Sequence, residues 1–175
     1  ANLVNGAFAF EGFIEYPQMV NLAIKDKRGG LNFFIENSEI TVNGKADSLF
    51  MASVAGSKTH TEYETYKASF DGMNDEMRKA YDRYREAKMA GNEELASAIE
   101  KEFEAMDAKQ TEMKKEFVVN NPSSYIAPSV LGEIAYYLEA SEMEELLGKL
   151  DTTLNKVQSV VSMKEKLVLL KAVAI

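Results

Sequence analysis

The sequence predicts an α+β protein: an antiparallel β-sheet or small sandwich, then a long antiparallel helical hairpin, then a helical C-terminal segment. Three observations predict it. Residues 6–56 alternate apolar and polar with period two, as strands with one buried face do. From Thr61 to Phe117 the apolar spacing changes to steps of three and four, the period of a helix stripe. Beyond Pro122 helical spacing continues in shorter runs, separated by capping and breaking residues. On this reading residues 1–57 form an antiparallel β domain and 58–175 an all-helical segment. The hairpin occupies 59–120 and further helices 122–174.

In the β part, Gly6 to Gly12 alternates with Phe8 and Phe10 on one face. Val20, Leu22 and Ile24 make a second such face, Leu31, Phe33 and Ile35 a third, and Ile40 with Val42 a fourth. Leu49 to Val54 is a more mixed run. Turns are marked by Asp26-Lys27-Arg28-Gly29-Gly30, Glu36-Asn37-Ser38 and Asn43-Gly44. The expected result is an antiparallel meander, with Tyr16-Pro17 at an edge or strand start because proline cannot donate to a ladder.

The first hairpin helix carries Tyr63, Tyr66, Phe70, Met73, Met77, Ala80, Tyr84 and Ala87. The second carries Ile99, Phe103, Met106, Met113 and Phe117, broken only by Gln110. Thr61 with Glu64, or Thr59 with Glu62, fits a capping box at the start. Gly72 should weaken the first helix by roughly 1 kcal/mol relative to Ala, giving a kink or frayed turn. Gly91 suits a left-handed C-terminal cap and Asn92 the next N-cap. The second helix should stop near Asn120-Asn121-Pro122, because a residue before proline avoids the α region. A third helix, with Pro128 in or before its first turn, runs to about Glu139 on Ile126, Val130, Leu131, Ile134 and Leu138. Ser141 with Glu144 offers a capping box for Met143, Leu146, Leu147 and Leu150. The last helix, around Val157 to Val173, is apolar around much of its circumference near its end. It is either well buried or cut off from a partner.

Composition removes several chemistries. With 46% apolar and 27% charged residues the chain is of ordinary globular make-up. Its net charge is −8. Residues 1–57 carry four basic and six acidic side chains, 58–120 eleven and fifteen, and 121–175 five and seven. No segment is basic, which argues against nucleic acid and against docking on anionic membrane. The chain has no cysteine, so it performs no thiol–disulfide chemistry of its own and builds no Cys-ligated metal site. No apolar run approaches the ~20 residues of a membrane helix. Ala1-Asn2-Leu3-Val4-Asn5-Gly6 does not form a signal peptide, so the chain is expected to be cytoplasmic or to have lost a signal.

Candidate reactive residues read as surface. His60, the one histidine, lies in a polar run at a helix start and is expected to be solvated or capping. A di-iron bundle needs Glu-x-x-His, and Ser57 stands three before His60. The carboxylates Glu93, Glu94, Glu100, Glu102, Glu104, Asp107, Glu112 and Glu116 interleave with lysines as on a solvated helix face. Lys25, Lys27 and Arg28 with Gly29-Gly30 lack P-loop spacing and read as a charged hairpin tip. Asp71, Asp75 and Glu76 do not match an EF-hand loop. No catalytic, cofactor-binding or metal-binding residue is assigned. Tyr63, Tyr66, Tyr81 and Tyr84, like Tyr136-Tyr137, divide between hairpin core and partner surface, since each hydroxyl needs a partner.

Several stretches resemble one family. Gly6-Ala7-Phe8-Ala9-Phe10-Glu11-Gly12 is similar to its G-x-F-x-F-x-G strand. Phe33 to Val42 resembles its F-x-x-E-x-G-E-I-x-V hairpin, with Ser38 where glycine is usual. Val54-Ala55-Gly56-Ser57 with Tyr63 and Tyr66 resembles its sheet-to-helix junction, and Phe117 to Ala127 its F-x-x-x-N-P-x-S-Y-x-A segment. The family is domain of unknown function 4369, the N-terminal domain of Bacteroidetes-type secreted lipoproteins that typically precedes a thioredoxin-like domain. The resemblance spans nearly the whole chain, but the first strand or two of the family's sheet are missing. The chain ends about where the thioredoxin-like domain, with its C-x-x-C, would begin.

What the resemblance implies is a non-catalytic accessory domain of an exported thiol–disulfide oxidoreductase. It would position protein substrates or support dimerisation. The implied partners are its own C-terminal thioredoxin-like domain, protein substrates, or a second copy. The implied location is the periplasm or cell envelope, held by an N-terminal lipid anchor outside this chain. Two other readings stand beside it: a hydrolase with a carboxylate cleft acting on surface glycans, and a purely structural spacer.

Overall fold

The computed structural model describes residues 1–2 and 4–173, so the expected helix end at Ala174 lies outside the described residues. The chain is α+β, with small antiparallel sheets first and helices after. It divides into two compact units, Ala1–Thr61 and Glu62–Ile175.

In the first unit β1 (Gln18–Ala23) pairs antiparallel with β2 (Gly30–Ile35), Val20 opposite Phe33 and Leu22 opposite Leu31. A separate antiparallel pair joins β3 (Thr41–Asn43) to β4 (Ser53–Ala55). The expected single meander is therefore two two-stranded sheets. They share one apolar core: Leu31, Phe33 and Leu49 are buried, with Val20, Leu22, Ile35, Ile40, Val42 and Val54 packed against them. The mixed run before β4 is not strand but a 3₁₀ segment, Ala46–Met51, because only Leu49 of its apolar residues turns inward while Phe50 and Met51 are exposed.

The strand expected at Gly6–Gly12 does not form. Val4 and Ala7 bridge each other across a tight turn, in which Asn5 and Gly6 take positive φ. Phe8 to Phe13 then runs on without a backbone hydrogen bond among the described residues. Alternation makes a strand only when a neighbour completes the ladder, and none lies alongside among the described residues.

Helix α1 (Lys58–Ala68) starts earlier than either capping box suggests. The Ser57 hydroxyl accepts the His60 N–H at 3.0 Å. From across the first unit, Glu36 accepts the Lys58 N–H and, at 2.8 Å, the Thr59 hydroxyl. A carboxylate there also suits the positive end of the helix dipole. The first hairpin helix breaks at Ser69-Phe70, just before Gly72, and resumes as α2 (Asp71–Met89). Gly91, at φ +69°, and Asn92, accepting the Leu95 N–H at 3.0 Å, turn the chain into α3 (Glu93–Asn120) as expected.

Along the hairpin Met73, Ala80, Ala87, Ala96 and Ile99 are buried, a seam of three alanines with Met73 and Ile99. Helix α4 (Ala127–Ile134) has Pro128 in its first turn but ends five residues short of Glu139. Its end tightens into an i→i+3 turn, the Tyr137 N–H donating to Ile134 O at 2.9 Å, and leaves both tyrosines exposed. Helix α5 (Ala140–Lys149) begins before Ser141, so the Ser141–Glu144 box is not used. After a 3₁₀ turn capped by Asp151, α6 (Gln158–Val173) closes the described chain. The core of this unit is built on Ile99, Val118, Ile126, Leu131, Met143 and Leu154.

Candidate functional site

The strongest candidate surface is an apolar groove in the first unit, with a volume of about 640 Å³. The Gly6–Ile14 stretch forms one wall, and Phe33, Ile35, Ile40 and Val42 line the other side. Those four residues also belong to the core of the unit, so the core is open on this side. Nothing on the first wall seals it: Phe10 is 68% and Phe13 83% exposed. Phe8 and Phe10 stand edge to face, ring centroids 5.7 Å apart. Exposed aromatic rings beside an open core are characteristic of a recognition surface.

The far end of that wall is pinned. Asn37 accepts the Ile14 N–H at 3.0 Å and donates to Ile14 O at 2.8 Å, doing with a side chain what a neighbouring strand does with its backbone. The next residues tie the hairpin to the helix start: Ser38 Oγ donates to Gly56 O at 2.8 Å, and Glu36 holds the first turn of α1. Gly56 has φ +93°, and a Cβ there would overlap the Glu39 carbonyl oxygen, so only glycine fits.

His60 is not solvated. Its side chain is buried, with the Phe33 ring 6.2 Å away, edge to face. The earlier helix start turns it inward, and its backbone N–H takes part in capping. At the hairpin tip Lys27 pairs with Asp47 at 2.6 Å and holds that carboxyl below its usual range.

In the helical unit three of the hairpin carboxylates meet side chains on the facing helix, while Glu112 pairs with Lys115 on its own helix. Glu102 pairs with Arg83, Glu93 with Lys88, and Glu100 accepts the Tyr84 hydroxyl at 3.0 Å. The tyrosines split. Tyr81, Tyr136 and Tyr137 are exposed, Tyr63 and Tyr84 are half-buried, and Tyr66 is buried between Phe70 and Phe117. The Tyr66 hydroxyl has no hydrogen-bond partner among the described residues. Burial pushes its pKa up, and Glu133 and Tyr63 push the same way.

It borders a polar cleft of about 460 Å³ that also takes in Gln110, Lys114 and Glu133. Gln110, the one break in the stripe of α3, thus faces this cleft rather than the seam. On α6, Val168 and Leu169 are exposed, so its outer face is the uncovered one of the two arrangements its composition allows. Among the described residues no three His, Asp or Glu side chains gather as metal ligands, and no helix is long and apolar enough to cross a membrane.

Fold and groove define an α+β chain whose first unit presents an open apolar face. That unit is also where the family likeness lies: residues 1–63 match the family described as Domain of unknown function (DUF4369). The match stops two residues past the first unit and does not reach the Phe117–Ala127 segment. No curated protein and no solved structure matches the chain.

Proposed function

We propose that this chain is a non-catalytic interaction and positioning module that serves a thioredoxin-like thiol–disulfide oxidoreductase of the cell envelope. The observation that carries the interaction part is the groove, where Ile35, Ile40 and Val42 at the edge of the core stay partly exposed beside exposed Phe10 and Phe13. The uncovered outer face of α6, with Val168 and Leu169, supports it from the second unit. The redox setting rests on the resemblance of the sequence motifs to a family whose domain precedes a thioredoxin-like one, a family whose match covers residues 1–63.

The test starts from the polypeptide as its own cell makes it. A peptide map should find a C-x-x-C sequence in the same polypeptide. Phe10→Asp with Phe13→Asp should then slow reduction of a disulfide-bonded protein at least threefold while leaving reduction of a small aromatic disulfide unchanged. A native polypeptide without that peptide, or equal rates on both substrates, contradicts the proposal.

A further inference from the structure

The Gly6–Gly12 segment has an internal symmetry that names its occupant. Laid antiparallel against a second copy of itself about Ala9, it sets Gly6 opposite Gly12, Ala7 opposite Glu11, and Phe8 opposite Phe10. Directly opposed aromatic residues are favourable cross-strand pairs, and like charges directly opposed are not. Here both aromatic pairs form and Glu11 meets only alanine. Phe8 and Phe10, two residues apart, fall on one face. Four phenylalanines, two from each copy, thus share one side of the new ladder.

The backbone agrees with the side chains. Phe8 to Phe13 makes no backbone hydrogen bond among the described residues, so its donors and acceptors are available to a partner strand. The core lies open beside it through the partly exposed Ile35, Ile40 and Val42. An unpaired stretch with strand alternation next to an open core is the arrangement that strand addition completes.

We propose that Ala7–Glu11, just past the Asn5-Gly6 turn, is the docking strand of a symmetric dimer, pairing antiparallel with the same segment of a second copy about Ala9. The inference rests on reading the groove as an interaction surface and names what fills it. The contact is isologous, so it closes at two copies. A single short strand pair makes a small interface, so the dimer dissociates on dilution.

The chain contains no cysteine, which permits a direct test. The symmetric pairing places position 9 opposite itself, within the Cα separation of roughly 4.4–6.8 Å that a disulfide spans. Under mild oxidation Ala9→Cys should form a covalent dimer at least tenfold faster than the control Arg28→Cys, whose side chain is exposed at the β1–β2 turn. Sedimentation of the unmodified chain should rise from 19.5 kDa toward twice that mass between low micromolar and millimolar concentration. Phe10→Asp, at an exposed position that tolerates a charge in the single copy, should remain at the lower mass.

A monomer at every concentration, with Ala9→Cys no faster than Arg28→Cys, overturns the proposal. So does a dimer that Phe10→Asp leaves intact, or a monomer whose groove is filled by another segment of its own polypeptide. If the chain stays monomeric while Phe10→Asp with Phe13→Asp still slows protein reduction, self-pairing fails and the interaction module stands.

Discussion

Two residues show how much of this molecule is fixed by single atoms. Gly56 joins β4 to the start of α1 in a backbone conformation L residues avoid, against the Glu39 carbonyl. Gly56→Ala adds both a positive-φ strain and an overlap with backbone, which together cost about 3 kcal/mol. Urea denaturation should register that loss, whereas Gly132→Ala, with open space around its Cβ, should not lower stability.

Tyr66 carries a buried hydroxyl without a hydrogen-bond partner among the described residues. Removing such a group relieves a desolvation cost, so Tyr66→Phe should stabilise the chain by about 1 kcal/mol at neutral pH. The sign at high pH follows from its raised pKa. Above about pH 10 an unfolded tyrosine gives up its proton while the buried one keeps it, so the native state binds more protons and stability falls as pH rises. Below that pH the contribution is fully present. Thermal melts of Tyr66→Phe should therefore decline less steeply into the alkaline range than those of the unsubstituted chain.

At the scale of elements, the hairpin rests on a narrow seam. Ala80, Ala87 and Ala96 allow α2 and α3 to approach closely around Ile99, which is fully buried. Ile99→Ala should cost about 3 kcal/mol by leaving a cavity, and Ala80→Leu a comparable amount by overfilling the seam. The exposed pairs Arg83–Glu102 and Lys88–Glu93 contribute far less, and removing either should fall within about 1 kcal/mol.

The hairpin was legible in the sequence because everything that defines it is local: the three-four spacing, Gly91, Asn92 and Pro122. What escaped local reading depends on residues far away in sequence. Glu36 sets the start of α1 from 22 residues upstream, and that earlier start buries His60. Gly6–Gly12 has the alternation of a strand, but a strand exists only where a neighbour supplies hydrogen bonds, and alternation cannot report the neighbour. The groove follows from the same missing pairing, so no periodicity in the sequence pointed to it. Gln110 was visible as a break in a stripe; its place at the cleft beside Tyr66 needed the fold.

For the molecule as a whole, the two units differ in how they hold themselves together. The first buries Leu31, Phe33 and Leu49 in a cluster open at the groove, between sheets of two strands each, with Phe34 buried as well. Such small cores are marginal alone. Amides of β1 to β4 should exchange with solvent faster than those around Ile99, Leu131 and Met143, which hydrogen-exchange mass spectrometry resolves. Docking at the groove should then stabilise the first unit most, because binding to the folded form alone raises its apparent stability.

The most direct test of the account is amide hydrogen exchange in residues 7–13 as a function of protein concentration. If this segment docks as a strand, its exchange slows at high concentration while that of the β1–β2 turn stays unchanged. Phe10→Asp abolishes the slowing. Rapid exchange of residues 7–13 at every concentration, alone and with protein substrates present, would contradict the claim that this edge is where the molecule binds.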